Sequence, residues 1–244
     1  MNNFIYPLII TSIAGIATLL GNILLFVNLK YKDNLISFAL GLSFIVMLMI
    51  SVFDLIPEGL VLGRLEVGDT KILFIITLLL LLIGYFIVSF IERKIKNNDN
   101  LYKIGLLSMI SLLIHNIPEG ILCALTSSTN LEVGVRFSFM IMIHNIPEGI
   151  CISLPIYYAT KNRGKAFLYT LISSFGEITG ALIALLFLNK FLNNSLLYVI
   201  LIVVAGIMIT LSILKILKEG LTYRRYFYLI LGIIIGFIIV LLTI

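Results

Sequence analysis

The chain has 244 residues, of which 61% are hydrophobic and only 12% are charged, and its net charge is +5. Soluble domains are about half apolar and about a quarter charged, so this composition excludes a water-soluble globular fold. It predicts instead an all-α integral membrane protein, with residues 1–244 forming a single transmembrane domain.

Eight apolar stretches follow one another along the chain, separated by short polar breaks. A membrane-spanning helix needs roughly 20 apolar residues, so each stretch predicts one transmembrane helix. The predicted spans are 4–28, 35–62, 71–92, 103–127, 133–159, 165–189, 196–214 and 224–244. The first stretch is too long for the apolar core of a signal peptide and follows no basic segment, so we interpret it as a span.

The basic residues indicate how the chain is oriented. Of the 17 lysines and arginines, 13 lie at the connections between spans 1–2, 3–4, 5–6 and 7–8, whereas the alternate connections hold only Arg64, Lys71, Arg136 and Lys190. The positive-inside rule therefore predicts a multi-pass protein of the cell membrane with both termini outside the cytoplasm. This alternation accounts for the positive charge, so lipid is the expected partner and nucleic acid is not.

A six-residue pattern repeats along the chain. His115–Gly120 and His144–Gly149 both read His-Asn-Ile-Pro-Glu-Gly, and Asp54–Gly59 reads Asp-Leu-Ile-Pro-Glu-Gly. A degraded fourth copy, Lys215–Gly220, keeps only the final Glu-Gly. The copies lie on spans 2, 4, 5 and 7, an arrangement nearly symmetric about the chain centre that favours an inverted repeat, a common construction in transporters.

Five acidic residues fall inside predicted spans rather than at a span end: Asp54, Glu58, Glu119, Glu148 and Glu177. Each would cost roughly 2.5–3.5 kcal/mol at a lipid-exposed helix centre. They must therefore face the interior of the helix bundle and find partners there. Nearly all the basic residues lie at span ends, so the missing positive charge is a bound cation or a proton.

The only two histidines occupy the same position in two copies of the repeat. His115 precedes Glu119 by four residues, and His144 precedes Glu148 by four, which stacks each pair on one face of a helix. Imidazole and carboxylate together suit zinc and other first-row divalent ions. The alternative is that these histidines and glutamates satisfy one another on two proline-containing helices without binding metal.

Other polar residues of the repeats extend this candidate site. Pro118 and Pro147 each remove a backbone donor and free a carbonyl group one turn earlier. Asn116 and Asn145 supply further oxygen atoms one step round each helix. Glu177 lies among small residues that favour close helix packing, so we expect its carboxylate near these neighbours.

Several residues are compatible with more than one role. Asp54 and Glu58 could line an entry path or lie near the outer surface. Cys123 and Cys151 follow the two glutamates closely, but we interpret them as small buried apolar residues rather than metal ligands. The Gly-x-x-x-Gly pattern of Gly232 and Gly236 in span 8 is a weak signal for a homodimer.

Across the whole chain the sequence resembles the ZIP (Zrt/Irt-like) family of metal transporters, in its bacterial GufA/ZupT-type branch. The similarity is sharpest at His115–Gly120, at His144–Gly149, at the stretch 154–160 and at Glu177. It implies eight helices with extracytoplasmic termini and import of zinc into the cytosol, with iron, manganese, cobalt and cadmium as further candidate substrates. The metal is then the transported substrate, and no cofactor is expected.

The resemblance also implies roles for individual residues. His115, Glu119, His144 and Glu148 would form a primary metal site between helices 4 and 5. Asn116, Asn145 and Glu177 would form an adjacent second site that shares the two glutamates. Some family members carry an acid in place of Asn145, so the second site has less negative charge here.

Two other functions are compatible with the same residues. An intramembrane zinc enzyme could use the His-x-x-x-Glu pairs, although the chain has no His-Glu-x-x-His motif and no separate general base. A cation channel could use the buried acids. The spacing of the residues alone leaves the direction of transport open.

Overall fold

The computed structural model describes residues 2–26, 32–96, 99–187 and 194–242. Within these ranges the chain forms eight helical segments, α1 to α8, and no strand. Lys30, Lys190 and the ends of the first, sixth and eighth predicted spans lie outside the described residues. The prediction of an all-α membrane protein is confirmed.

The bounds of the helices follow the predicted spans closely. Helix α1 comprises Asn2–Ala17 and a 3₁₀ continuation, Thr18–Phe26. Helix α2 comprises Lys32–Ile50, a π-helical turn at Ser51–Leu55, and Ile56–Val67. Helices α3 to α6 are Thr70–Lys94, Asn100–Thr129, Leu131–Thr160 and Arg163–Phe187. Helix α7 comprises Asn194–Leu211, a π-helical turn at Ser212–Leu217, and Lys218–Thr222, and α8 is Tyr226–Leu241.

Seven of these helices are long and apolar enough to cross a membrane. The eighth, α8, is apolar but has only 16 residues, somewhat short of the roughly 20 that a full crossing requires. Large apolar side chains are exposed along the outside of the helices, for example Phe74, Phe86 and Phe227. Lipid is the solvent that suits such a surface.

Polar residues between the spans begin the central helices. The Asp69 carboxylate accepts hydrogen bonds from the backbone N–H groups of Lys71 and Ile72, and Asp99 accepts one from Tyr102. Asn130 caps α5 in the same way, through the N–H of Val133. Such caps satisfy donors that the first helical turn leaves free.

The helices pack as two groups of four. Helices α1, α4, α5 and α6 pack on one another, and so do α2, α3, α7 and α8. The two groups meet where α2 packs against α5 and where α4 packs against α7. We call the first group the site bundle, because it contains every histidine of the chain.

The two π-helical turns support the fourth copy of the repeat. The turn in α2 begins at Ser51, three residues before Asp54, and the turn in α7 begins at Ser212, three residues before Lys215. The degraded copy therefore shares a rare backbone feature with an intact copy. π-helical turns inside α-helices are frequently found at functional sites.

Gly232 and Gly236 are used inside the chain. A Cβ atom at Gly232 would overlap the carbonyl oxygen of Phe38, and one at Gly236 would lie 2.5 Å from a methyl group of Ile45. The small residues thus allow α8 to approach α2 closely. Because both glycines are used for packing within the chain, this pattern no longer supports a dimer interface. The homodimer stays a prediction.

Candidate metal centre

The α4–α5 hairpin brings the two histidines to the same depth. A single residue, Asn130, separates the two 30-residue helices, so they run antiparallel. The two histidines lie at nearly equal distances along the chain from Asn130, His115 before it and His144 after it. At about 1.5 Å per helical residue, each is roughly 20 Å from the turn. Both histidines therefore lie near the middle of their helices. Helix α4 continues without interruption past Pro118, and α5 continues past Pro147 and Pro155.

Each histidine contacts a glutamate of the other helix. Nε2 of His144 is hydrogen-bonded to Oε1 of Glu119 at 2.8 Å. Nε2 of His115 lies 3.8 Å from Oε1 of Glu148, and 3.7 Å from Oε2 of Glu119 on its own helix. The four side chains predicted as one ligand set therefore lie together in the structure.

These four side chains are buried and incompletely paired. Glu148 and His115 are 0% and 1% exposed. Within the described part of the chain, both carboxylate oxygens of Glu148, both ring nitrogens of His115 and Oε2 of Glu119 have no hydrogen-bond partner. Buried polar atoms normally find partners, so unpaired atoms concentrated at one point indicate a place for a ligand.

The two asparagines and Glu177 form a neighbouring group. The Asn145 amide donates hydrogen bonds to the carbonyl oxygen of Ala14 and to Oε1 of Glu177. The Asn116 amide donates to the carbonyl oxygen of Ser173. Both amide oxygens and Oε2 of Glu177 lack a hydrogen-bond partner among the described residues.

Glycines allow α6 to place Glu177 against α4. A Cβ atom at Gly120, the last residue of the repeat, would overlap the backbone oxygen of Glu177. Likewise, Cβ atoms at Gly176 and Gly180 would overlap or crowd the backbone of α4. The expectation that small residues bring Glu177 close to its neighbours is thus matched by the packing.

A cavity of about 420 Å³ connects this region with one end of the bundle. His115, Glu119 and His144 line its inner part, and Thr126 and Phe137 mark the end nearest the α4–α5 turn. Asp54 and Glu58 of α2 line the same cavity. Of the two positions left open for these acids, the structure therefore favours the wall of a path to the histidines.

The arrangement is close to a metal-binding geometry without reaching it. Among the residues that the structure describes, no three His, Cys, Asp or Glu side chains are arranged to hold an ion as they stand. Two ligands of one tetrahedral zinc ion lie about 3.3 Å apart, given metal–ligand distances of about 2 Å. His115 needs only small shifts from its 3.7 and 3.8 Å contacts, but an ion would have to replace the His144–Glu119 hydrogen bond.

The sequence is similar to known zinc transporters. Residues 95–243 match the family model described as "ZIP Zinc transporter". The chain is 34% identical to the zinc transporter ZupT of Oceanobacillus iheyensis, over 97% of this chain and 96% of that protein. It is 30% identical to the ZupT of Chlorobium chlorochromatii, over 98% and 96%, and 34% identical to that of an Escherichia coli strain, over 85% and 83%.

The chain belongs to the ZIP zinc transporter family. It is therefore a multi-pass membrane transporter of divalent metal ions and not an enzyme, which removes the intramembrane zinc enzyme as an alternative. The metal ion is its substrate. The resemblance predicted from the repeats is confirmed by relatives aligned over nearly the whole chain.

The cysteines of this ZIP transporter contribute no evident ligand. Cys123 and Cys151 are buried and free of disulfide bonds. The Cys123 thiol lies beside the hydroxyl groups of Thr11 and Ser127, and the Cys151 thiol lies beside that of Ser43. The interpretation of both as small buried residues fits this packing.

The sequence did not predict two features of the ZIP transporter, one at the site and one at the opposite end of the helices. The carbonyl oxygen of Ala14 holds Asn145 in place, but a backbone atom carries no residue-type signal. An ion pair between Lys215 and Glu92 lies on the other side of the molecule from the cavity. The substitution of Lys215 for the acid of the repeat was a signal for this second feature.

Proposed function

We propose that this ZIP transporter carries Zn²⁺, or a related divalent ion, through a primary site formed by His115, Glu119, His144 and Glu148. One observation supports this proposal most directly: two buried imidazoles and two buried carboxylates lie together, three of them with unpaired polar atoms, and His115, Glu119 and His144 line a cavity. Two neutral histidines and two carboxylates would neutralise a doubly charged ion, which a low-dielectric interior strongly favours.

The second site is proposed to comprise Asn116, Asn145 and Glu177, together with the shared glutamates. Its unpaired amide and carboxylate oxygens are donors of the type that divalent ions accept. The neutral Asn145 gives this site less negative charge than an acid at the same position would. We therefore expect the site to hold a divalent ion more weakly than a site with that acid.

Metal is proposed to enter from outside the cell and leave to the cytosol. The cavity with Asp54 and Glu58 extends toward the α4–α5 turn, the end that the distribution of basic residues assigns to the outside. This orientation also places both termini outside the cytoplasm in the cell membrane. A field of carboxylates along the cavity would raise the local concentration of cations.

Metal-competition uptake into sealed vesicles tests the proposal. Wild-type protein should take up radioactive zinc saturably, and unlabelled divalent ions should compete in an order that defines the preferred substrate. Glu148→Ala should abolish uptake, because it removes a carboxylate with two unpaired buried oxygens. The matched control is Cys123→Ala, a nearby buried substitution that should leave most activity.

Normal zinc uptake by the folded Glu148→Ala protein would refute the assignment of the primary site. Ion currents recorded from the wild-type protein in planar bilayers, at rates far above saturable carrier turnover, would instead favour the cation channel.

A further inference from the structure

A second cleft lies at the opposite end of α4 from the cavity. Its volume is about 180 Å³, and its walls come from α3, α4 and α7. Ile104 and Leu107 line this cleft, whereas Leu122 lines the cavity. At about 1.5 Å per residue, Leu107 and Leu122 are roughly 22 Å apart along the helix. We call this opening the inner cleft.

Lys215 lies in the inner cleft and is held by an ion pair. Its Nζ atom donates hydrogen bonds to both carboxylate oxygens of Glu92, at 2.8 and 2.7 Å. Both side chains are less than one third exposed. Beside them, the Asn100 amide donates to Oε2 of Glu219 at 3.1 Å, which joins α4 to α7 across the boundary between the two bundles.

The internal repeat shows that Lys215 occupies the position of an acid. Ser51, Asp54 and Glu58 of α2 correspond in spacing to Ser212, Lys215 and Glu219 of α7, and both segments form a π-helical turn. The serine and the glutamate are kept, while the aspartate is replaced by a lysine. The orientation of the chain does not require this change, because the exposed Lys218 of α7 and the exposed Arg224 and Arg225 just after it already supply positive charge.

The two openings consequently carry opposite charge. Three carboxylates and two histidines line the cavity, for a charge of −3 with neutral imidazoles: Asp54, Glu58, Glu119, His115 and His144. Three ammonium groups and two carboxylates line the inner cleft, for a charge of +1: Lys103, Lys215, Lys218, Glu92 and Glu219. The cavity attracts divalent cations, whereas the inner cleft repels them.

We propose that Lys215 forms an electrostatic barrier in the exit path, which keeps divalent ions from rebinding at the cytosolic side. The inference rests on the proposed function, since it takes the inner cleft as the cytosolic end of the metal path. A fixed charge cannot alter the equilibrium distribution of an ion across the membrane. It raises the ion concentration needed for half-saturation from the side of the inner cleft and speeds dissociation to that side.

Zinc flux in vesicles of both orientations tests this role. Lys215→Glu changes the lining charge from +1 to −1, so the half-saturating zinc concentration on the cytosolic side should fall about tenfold, equivalent to about 1.4 kcal/mol. The half-saturating concentration on the outer side should change by less than about twofold. Raising the ionic strength should shrink the cytosolic difference, because salt screens charges near an open cleft.

Two further variants separate the charge from the ion pair. The double variant Glu92→Lys with Lys215→Glu keeps both the ion pair and the lining charge. Its half-saturating zinc concentration on the cytosolic side should therefore match that of the wild-type protein. Lys218→Glu changes the lining charge by the same amount and leaves the ion pair intact. It should lower the half-saturating zinc concentration on the cytosolic side, and it provides this test even if Lys215→Glu fails to fold.

Each outcome has a distinct meaning. Unchanged cytosolic values in the folded Lys215→Glu and Lys218→Glu proteins, or equal shifts on both sides of the membrane, would overturn the role of Lys215 while leaving transport intact. No saturable zinc flux in the wild-type protein would instead overturn the proposed function itself.

Discussion

At the residue scale, the two asparagines of the repeats have different structural duties. Asn145 bridges three elements, because its amide donates to the carbonyl oxygen of Ala14 on α1 and to Glu177 on α6. Asn116 makes one longer hydrogen bond, 3.3 Å, to the carbonyl oxygen of Ser173. The same residue at the same position of the repeat therefore joins three helices in one copy and two in the other.

We expect Asn145→Ala to lower thermal stability more than Asn116→Ala. Each lost donor removes one buried hydrogen bond, which contributes about 0.5–1.5 kcal/mol and more where the acceptor is a carboxylate. Asn145→Ala removes two such bonds and Asn116→Ala removes one. The melting temperature in detergent should therefore fall further for Asn145→Ala than for Asn116→Ala. The reverse order would show that the bridge to α1 contributes little to stability.

The same residue chemistry makes transport sensitive to acid. Imidazole nitrogens and carboxylates bind metal only without their protons, so metal binding and protonation compete. We expect zinc uptake to decline as the external pH is lowered from about 8 to about 5, a range that spans the ordinary titration of histidine. Uptake that stays constant over this range would argue against His115 and His144 as ligands.

At the element scale, α1 depends on the glycine that ends the second His-Asn-Ile-Pro-Glu-Gly copy. A Cβ atom at Gly149 would overlap the backbone oxygen of Thr18, and Gly21 packs against the same stretch of α5. This close approach positions α1 so that Ala14 reaches Asn145. The glycine of the repeat is thus needed for packing, next to residues proposed to bind metal.

Gly149→Ala should reduce both stability and zinc uptake, because the added methyl group displaces α1. Overpacking of this kind costs about 1–3 kcal/mol. The matched control is Gly164→Ala near the start of α6, where the only close atom is Oδ1 of Asn162 at 3.3 Å. The control should melt at the wild-type temperature or slightly above it, and a Gly149→Ala protein with wild-type stability would contradict the packing argument.

At the scale of the whole molecule, the site is confined to one bundle while both openings lie between bundles. All seven predicted site residues lie on α4, α5 and α6. The cavity takes part of its wall from α2 and the inner cleft takes part from α3 and α7. The walls of both openings are therefore formed jointly by the site bundle and the other group of helices.

The orientation in the membrane is open to a direct test. In a background with Cys123→Ala and Cys151→Ala, Glu132→Cys should react with a membrane-impermeant thiol reagent from outside intact cells. Gly164→Cys should react only after the cells are opened, because it follows the basic α5–α6 connection. Glu132 and Gly164 are both exposed, so access reports the side of the membrane. The opposite labelling pattern would reverse the assignment of both termini.

Much of this molecule is determined locally and could be predicted from the sequence. Apolar length decides which segments become spans, and the four-residue spacing puts His115 with Glu119 and His144 with Glu148 on their helix faces. The structure added that a single residue connects α4 to α5, which puts the two copies at equal depth.

Only the tertiary structure decided which of several compatible contacts each remaining residue makes. It put Asp54 and Glu58 in the wall of the cavity, used Gly232 and Gly236 to seat α8 on α2, and paired Lys215 with Glu92. These contacts join residues far apart in sequence, and a helical pattern states which face a residue occupies without stating which helix that face meets.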